Sequence, residues 1–567
     1  MRTFRTVLEQ KIRERRLTLL EFVDYAEVFA REHEESGTLS LRHLQRLIAG
    51  YGSKGEPLRQ LRPATVRLLE NIFSHSIDEL LSPPAQLISP GDSTGESDRT
   101  VYASSRTDEN IAIRSPERIT DIRRRDRQLW DTDTSVQAGH LGVDLTGFFD
   151  WLDEHAGWIP DTARRKVTSR LAKMNLQDLI DKHGRRARVS RRQIASALSE
   201  YYGDSTQYPS SYRVRLGQQE IATSIVTRPY WLDLGCRLDR GNDRLTLTKT
   251  ASDGLIIPDD LSARHAVHRL AEAAALKVRV ANMPVYRLLN IDTSQDSITG
   301  AVSLTPFAEY ALTMDLLEGE LIEAIITRSH TRSGSLPLRD RYLPDLVSVF
   351  DVSARLCAGG ALALCAIARP FDRYRGAADY ALLIQQRSNQ VVNATRRLAV
   401  IPKGFHEPLT DYRADAQIGA TLRREMEEEL FGRTDVDSTV SERRTAAPMH
   451  PDRLSDPMRW LMESPDRLRL ECTGFGLNLV SGNYEFASLI VIEDEEFWTR
   501  YGGQIEANWE SWTLRQYSSL DGELLTELIR DVAWSNEGLF ALLQGLRRLR
   551  QIGGNRVNLP TIEWEIL

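Results

Sequence analysis

Three glutamates in the C-terminal third of the chain have the type and spacing that metal chemistry requires. Glu425, Glu428 and Glu429 stand at positions i, i+3 and i+4 of a segment that predicts a helix from Ile418 to Phe431, ended by Gly432. Carboxylates on one helix edge repel each other, and a bound divalent cation would relieve that repulsion. The pattern therefore predicts a Mg2+ or Mn2+ site, because these hard cations accept carboxylate oxygens together with the phosphates of a ligand.

The same segment contains an apolar stripe and a cation. Ile418, Leu422 and Met426 fall on a neighbouring face of the helix, which predicts that the helix packs on a sheet. Arg424 precedes Glu428 by four residues, and this spacing predicts an ion pair between them.

Residues 424–429 read RExxEE, and the elements before them add context. A strand that carries Gln385 to Ser388 is followed by a strand end with Pro402 and Gly404, and the acidic helix comes next. This arrangement resembles the Nudix family over about residues 350–567. The resemblance implies a Nudix-like α/β/α sandwich whose glutamates hold a metal ion against a nucleoside diphosphate derivative, with Arg424, Gly404 and Gly432 as motif residues.

The chain departs from the Nudix pattern in the loop around the helix. The opening glycine of the family would fall on Thr410 and its early glutamate on Ala416. Phe431 stands where the family has glycine, and Gly432 follows it. These replacements favour a domain that senses a nucleotide-type ligand over one that hydrolyses it. In the hydrolase alternative, water attack splits a phosphoanhydride bond, and Glu428 and Glu429 are the catalytic residues.

A short helix near the N-terminus has the polar face of a DNA reader. Leu41, Leu44 and Ile48 take its inward stripe, and Gly50 ends it. The outward side chains can reach phosphates and base edges: Arg42, His43, Gln45 and Arg46. The segment resembles helix-turn-helix regulators of the phage-repressor type, which implies a DNA-binding domain over residues 1–82. A small helical bundle with a solvated basic face is the alternative.

A second basic segment follows in the middle of the chain. Its pattern predicts a helix from Leu176 to His183, a basic turn from Gly184 to Ser190, and a helix from Arg191 to Tyr202. The densest run of cations in the chain lies there: Arg185, Arg186, Arg188, Arg191 and Arg192. Either these arginines form a second nucleic-acid patch, or they belong to an ordinary salt-bridged helical surface.

Composition excludes several classes of protein. The 567 residues are 41% hydrophobic and 27% charged, which is ordinary for globular domains and excludes disorder throughout. A net charge of -7 excludes a chain that coats nucleic acid over its whole surface. The four cysteines are scattered and no apolar run is long enough to span a bilayer, so we expect a cytoplasmic protein without a membrane anchor.

Changes in pattern predict a multidomain α/β (α+β) organisation. Helical residues 1–82 precede a Ser-, Pro- and Gly-rich segment, 83–117, that predicts a flexible linker. A helical domain with the basic patch (118–203), a mixed α/β domain (204–345) and the Nudix-like domain (346–567) follow. Strands are predicted at 212–216, 245–248, 360–368, 380–386, 398–402 and 486–492, and helices at 262–278 and 313–327.

These observations together predict a DNA-binding transcriptional regulator. Its C-terminal domain would sense a nucleotide-type ligand with Mg2+ or Mn2+, and its single reading head predicts a homodimer on duplex DNA. A Mg2+-dependent Nudix hydrolase and a non-enzymatic scaffold are the two alternatives.

Overall fold

A computed structural model provides the structure. It describes residues 144–565 except 204–210, 250–257, 279, 374–375, 388–396, 434–448, 503–504 and 506–510. Nearer the N-terminus it describes 6–14, 63–73, 77–82 and single positions between 22 and 48. The chain divides into two compact units, Met1–His140 and Leu141–Leu567.

The N-terminal unit contains a small helical core. Its described helices are α1 (Val7–Glu14), α2 (Pro63–Phe73) and α3 (Ile77–Leu81). Leu44 and Ile48 are buried in this core, as their predicted inward stripe requires. The four predicted DNA-contacting residues lie outside the described residues: Arg42, His43, Gln45 and Arg46. Leu41 and the segment 83–117 also lie outside them.

The second unit begins with helices and continues with alternating helices and strands. Its helices are α4 (Thr146–His155), α5 (Thr162–Leu171), α6 (Leu176–Arg188), α7 (Arg191–Tyr202), α8 (Asp260–Ala275), α9 (Phe307–Ala311), α10 (Leu316–Thr327), α11 (Pro337–Tyr342), α12 (Leu346–Phe350), α13 (Ile418–Glu425), α14 (Asp456–Met462), α15 (Glu495–Tyr501), α16 (Gly522–Arg530) and α17 (Asn536–Ile552).

The strands of this unit form two sheets. They are β1 (Ser211–Leu216), β2 (Gln219–Val226), β3 (Cys236–Arg237), β4 (Asp243–Leu247), β5 (Pro284–Thr293), β6 (Ile298–Pro306), β7 (Gly359–Arg369), β8 (Asp379–Arg387), β9 (Leu398–Val400), β10 (Lys403–Phe405), β11 (Leu468–Asn478), β12 (Tyr484–Ile492), β13 (Ser511–Ser518) and β14 (Glu563–Glu565). The larger sheet runs β13-β8-β7-β12-β11-β2-β1-β14, with β10 on β7, β9 on β8 and β3 on β11. The smaller one runs β4-β6-β5.

Strands β7 and β12 lie at the centre of the larger sheet and pair in parallel. Every residue of both strands is buried. Continuous burial means that both faces of the sheet are covered, which explains why these strands read as unbroken apolar runs. Their side chains alternate between two core clusters, one that includes α17 and one that includes α13. The predicted packing of Ile418, Leu422 and Met426 is confirmed, because all three are fully buried in the second cluster.

The boundaries predicted near residues 203 and 345 fall inside one compact unit. Strands β1 and β2 precede residue 345, yet β2 pairs with β11 in the same sheet as β7 and β12. Helix α7 also belongs to the core cluster that contains α13. The segments 118–203, 204–345 and 346–567 are therefore not three separate compact units, because hydrogen bonds and apolar contacts between distant parts of the chain join them.

The predicted helix, turn and helix around residues 176–202 require one correction. The turn predicted over Gly184 to Ser190 is helical as far as Arg188, and Ser190 caps α7 with its side chain on Gln193 N. Arg185, Arg186 and Arg188 thus lie in the last turn of α6, where cations complement the helix dipole rather than oppose it.

In the described part of the chain, no helix is both long and apolar enough to cross a lipid bilayer.

Candidate functional site

The acidic helix α13 is held in place by two strands. Its first turn lies beside β4, where the carboxylate of Asp243 accepts a hydrogen bond from the backbone N–H of Gly419 at 2.8 Å. Burial raises the pKa of Asp243 to about 6, and the hydrogen bonds from the helix oppose that rise. Asp243, which is far away in the sequence, therefore caps the helix, because its own N-cap residue provides no side-chain cap. The last turn of the acidic segment lies beside β10.

Gly404 of β10 touches the first of the predicted metal-binding glutamates. A Cβ atom at this position would overlap the carboxylate of Glu425, which would have to move away from the strand. Gly404 was singled out from the Pro-x-Gly pattern, and its position beside the acidic helix agrees with that choice. The carboxylate of Glu425 consequently packs against bare backbone on one side and against Arg424 Nη2, at 2.7 Å, on the other.

Glu429 is hydrogen-bonded to Lys403, the residue that precedes Gly404 in β10. Its Oε2 accepts the backbone N–H of Lys403 at 2.6 Å. Glu429 and Glu428 are 1% and 8% exposed, and Glu425 is 6% exposed. All three predicted carboxylates are thus buried, and Glu425 and Glu429 lie against β10, which rules out a solvated helix face.

Arg424 does not make the predicted hydrogen-bonded pair with Glu428. Its guanidinium donates to Glu407, to Glu425 and, at 3.1 Å, to the carbonyl of Phe405. Burial would lower the pKa of Arg424, but the charges of Glu407, Glu425 and Glu428 raise it above its usual value. Glu428 therefore acts on Arg424 through its charge, while Glu407 and Glu425 hold it in place.

The acidic segment ends in a π-helical turn rather than the continuous α-helix predicted from Ile418 to Phe431. Residues Met426–Leu430 form this wider turn, and Gly432 then adopts a positive φ of 67° that ends the element. Such insertions into α-helices occur often at functional sites. The turn directs Glu427 away from β10, where it accepts from Ser455 N at 3.0 Å and Ser455 Oγ at 3.2 Å. Burial raises the pKa of Glu427.

The carboxylates suit a cation that keeps some of its own water. Among the residues that the structure describes, no group of three or more His, Cys, Asp or Glu side chains is gathered closely enough to bind a metal ion as arranged. Glu425 and Glu429 already hold Arg424 and the Lys403 N–H. Mg2+ typically uses one or two protein carboxylates, several waters and ligand phosphates rather than a complete protein cage. The arrangement is therefore compatible only with an open site of that kind, and not with a closed structural site.

Two residues near the helix provide contacts that the sequence pattern assigned to other positions. Thr410 is exposed and donates its N–H to Asp415 at 2.9 Å, whereas Gly404 is the residue that lies against Glu425. Ala416 is buried and accepts a hydrogen bond from His406 at its carbonyl, whereas Glu407 supplies a carboxylate to Arg424. Gly404 was singled out from the sequence, whereas Glu407 was missed, because only the fold of the loop brings it to Arg424.

A second charged cluster on the other face of β10 was also missed. Lys403 Nζ donates to Glu537 at 2.7 Å, and both side chains are largely buried. Burial raises the pKa of Glu485 on β12 to about 8, although the charge of Lys403 opposes that rise. Burial would also raise the pKa of Glu537, but Lys403 holds it below its usual value. No local spacing relates these residues, so only the strand pairing brings them together.

An open groove of about 660 Å³ lies along the loop that precedes α13. It is lined by Leu247, Lys249, Thr410, Asp411, Tyr412 and Arg413. Tyr412 is 43% exposed, and its backbone carbonyl is fixed by the hydroxyl of Tyr286 at 2.6 Å. The groove is wide open to solvent and carries two cations, one carboxylate and one accessible aromatic ring.

The structure separates the five arginines of the second basic segment. Arg185, Arg188 and Arg192 are exposed. Arg186 forms an ion pair with the buried Glu272 at 3.2 Å, and Arg191 is buried and donates to the carbonyl of Ala222 at 2.7 Å. Two of the five are therefore used inside the fold, and the remaining three could contact a polyanion.

Comparison with known proteins adds no relative. No protein-family model matches the chain, and no curated protein matches it either. The resemblance to the Nudix family thus rests on the RExxEE motif and its context.

Proposed function

We propose that this protein is a DNA-binding regulator whose acidic helix binds a divalent cation together with the phosphates of a nucleotide-type ligand. The observation that carries the ligand site is the burial of Glu425, Glu428 and Glu429 together, with Glu425 and Glu429 against β10. Burying several carboxylates together is costly unless cations compensate them. Arg424 is enclosed among Glu407, Glu425 and Glu428, and a bound cation would add to the compensation that Arg424 gives these crowded carboxylates.

Each neighbouring residue has a specific task in this proposal. A bound Mg2+ or Mn2+ would neutralise the carboxylates and the ligand phosphates. Gly404 leaves room for the carboxylate of Glu425, and Arg424 holds that carboxylate from the opposite side. The N–H of Lys403 orients Glu429. The groove beside the loop, with Tyr412, Lys249 and Arg413, offers an aromatic ring for a base and cations for phosphate oxygens.

Thermal unfolding with and without metal tests the site. In the wild-type chain, millimolar Mn2+ should raise the melting temperature, and an ADP-ribose-like ligand should raise it further by mass action. Replacing both Glu428→Gln and Glu429→Gln should abolish the metal effect and leave the fold intact, because an amide oxygen can still accept from Lys403. The matched control is Glu523→Gln with Glu527→Gln, two exposed glutamates on α16. A wild-type chain that Mn2+ does not stabilise would refute the proposal.

Hydrolysis of a nucleoside diphosphate derivative is the second candidate. It is favoured by Gly404 and Glu407, which provide at this helix the glycine and carboxylate contacts that Thr410 and Ala416 do not. The two candidates differ in turnover. Hydrolysis requires metal-dependent release of a nucleoside monophosphate that Glu428→Gln with Glu429→Gln eliminates. Sensing requires ligand binding without release, and a change in DNA affinity when the ligand is added.

DNA binding by the N-terminal unit is tested separately. We expect duplex DNA to bind with an affinity that falls steeply as salt rises, because binding releases condensed counterions. Arg46→Ala should weaken binding if its helix enters the groove. Light scattering should detect a homodimer, at least with DNA present. If neither DNA nor metal binds, the non-enzymatic scaffold remains.

A further inference from the structure

Strand β10 separates two charged groups that share one residue. On one face, Gly404 packs on Glu425 and the Lys403 N–H holds Glu429. On the other face, the ammonium group of Lys403 pairs with Glu537 at the start of α17. Lys403 is therefore bound to the acidic helix through its backbone and to α17 through its side chain.

On this second face, Glu485 of β12 lies on the same side of the sheet as the Lys403–Glu537 pair. In the strand register, Lys403 lies opposite Leu362, and Glu485 lies opposite Gly360 on the other side of β7. Residues two apart on a strand point to the same face, so Lys403 and Glu485 share one face of the sheet. Gly360 has no side chain to separate them.

Helix α17 is fixed against the strands that carry this cluster. The N–H of Ser535, its N-cap residue, donates to Leu398 of β9 at 3.0 Å. Glu537 lies in the first turn of the helix, where a carboxylate is favoured by the helix dipole. Neither Glu537 nor Glu485 is more than 8% exposed. The position of Lys403 is thus set by rigid elements rather than by a loop.

We propose that Lys403, Glu537 and Glu485 form a positioning cluster, the Lys403 triad, that holds Glu429 in the geometry needed for metal binding. The inference rests on the proposed metal site, and it assigns to the triad no contact with the ligand. Partners of this indirect kind orient metal-binding groups in many proteins. The three residues act through β10: Glu537 pairs with the Lys403 side chain, Glu485 lies on the same face of the sheet, and the Lys403 backbone N–H holds Glu429.

Mn2+ binding to the full chain, followed by electron paramagnetic resonance, tests the triad. Lys403→Met and Glu537→Gln should each weaken Mn2+ binding by about tenfold or more, the usual effect of losing such a partner. Lys403→Arg should restore most of the affinity, because it keeps the cation. Unchanged Mn2+ affinity in both Lys403→Met and Glu537→Gln would overturn the proposal.

The control is a buried ion pair elsewhere in the same sheet, between β7 and β8. Arg369 and Asp379 pair at 2.6 Å at the far end of β7, about 30 Å from Gly360 at the usual rise per residue. Asp379→Asn should lower stability without changing Mn2+ affinity. An equal loss of affinity in Asp379→Asn would show a general effect of destabilisation and would overturn the triad.

Hydrogen exchange separates failure of the triad from failure of the metal site. The peptide that contains Lys403 should exchange faster in Glu537→Gln than in the wild type or Asp379→Asn, with no metal present. If wild-type protein binds no Mn2+, the proposed metal site fails. In that case, faster exchange in Glu537→Gln would still show that Glu537 restrains the Lys403 N–H that donates to Glu429. Unchanged exchange would overturn the positioning role of Glu537 in addition to the metal site.

Discussion

Two densely charged helical segments of this protein have opposite relations to solvent. In the acidic segment of α13 and its π turn, Glu425, Glu427, Glu428 and Glu429 are all buried. In the basic segment of α6 and α7, Arg185, Arg188 and Arg192 remain exposed. Both segments have comparable charge density in the sequence, and both are helical.

The difference arises from what each helix packs against. The acidic segment faces β10, where the backbone N–H of Lys403 donates to Glu429 and the bare Gly404 lets the carboxylate of Glu425 approach closely. Among the residues that the structure describes, the basic segment meets the buried carboxylate of Glu272, which engages Lys182 and Arg186 and also His268 of its own helix. Charge alone therefore does not decide burial, because burial follows from the number of partners that the opposite surface supplies.

The largest effect is expected at the closest contact of the acidic segment. Gly404→Ala places a methyl group on the carboxylate of Glu425, and we expect a loss of about 3 kcal/mol in the free energy of unfolding, at the upper end for overpacking. Gly319→Ala is the control, since open space surrounds that helical glycine. Urea denaturation measures both, and Glu425→Ala should recover part of the loss in the double variant. A fully stable Gly404→Ala protein would show that the Glu425 side chain moves aside without cost and that its contact with Gly404 does not restrain it.

Glu427 should be structural, unlike its neighbours. Glu427→Ala removes the acceptor of Ser455 N–H and Oγ, and we expect a loss of about 2 kcal/mol, because a buried donor is left unsatisfied. Its Mn2+ affinity should equal that of the wild type. Glu428→Gln should show the reverse pattern, with lost Mn2+ binding and unchanged stability. If Glu427→Ala and Glu428→Gln give the same pattern, the π turn does not divide the glutamates into two roles.

Two buried glutamates, Glu485 beside the Lys403 pair and Glu272 beside the basic segment, should give opposite dependences of stability on pH. Burial raises the pKa of Glu485 to about 8 from an ordinary 4.5, so the folded protein holds a proton that the unfolded chain releases, and stability falls as pH rises between those values. Burial would also raise the pKa of Glu272, but His268, Arg186 and Lys182 hold it below 4.5, so its contribution is lost as pH falls below that value.

Denaturation series from pH 3 to pH 9 measure both signatures. Glu485→Gln should flatten the alkaline side of the stability curve, and Glu272→Gln should flatten the acid side. Each variant serves as the control for the other. A change on the same side of the curve in both variants would mean that the two carboxylates have the same environment.

The smallest effect on stability is expected on the exposed part of the basic segment. Arg185→Ala, Arg188→Ala and Arg192→Ala should each change the free energy of unfolding by about 0.5 kcal/mol or less. If these residues contact phosphates, each substitution should lower the salt dependence of DNA affinity by about one counterion. Buried Arg191→Ala should instead cost stability. An unchanged salt slope in all three exposed variants would exclude a DNA-binding role for this patch.

Periodicity and composition were sufficient to predict many elements. The strands at 360–368, 380–386 and 486–492 are close to β7, β8 and β12, because runs of buried apolar residues of strand length are visible without tertiary information. The importance of Gly404 followed from its place beside Pro402, and the importance of the glutamates followed from helical spacing. These are local properties of the chain.

Only the tertiary structure decided how those residues are used. Glu407 rather than Ala416 meets Arg424, because the loop length sets which side chain returns to the helix. Asp243 reaches the acidic helix from an element far away in the sequence. Glu485 and Glu537 likewise lie near Lys403 although they are far from it in the sequence, and no spacing rule relates these residues to residue 425. Residue types and local periods determine which side chains could do chemistry. Strand register and packing determine which of them meet, because those contacts depend on chain segments that fold together from great sequence separation.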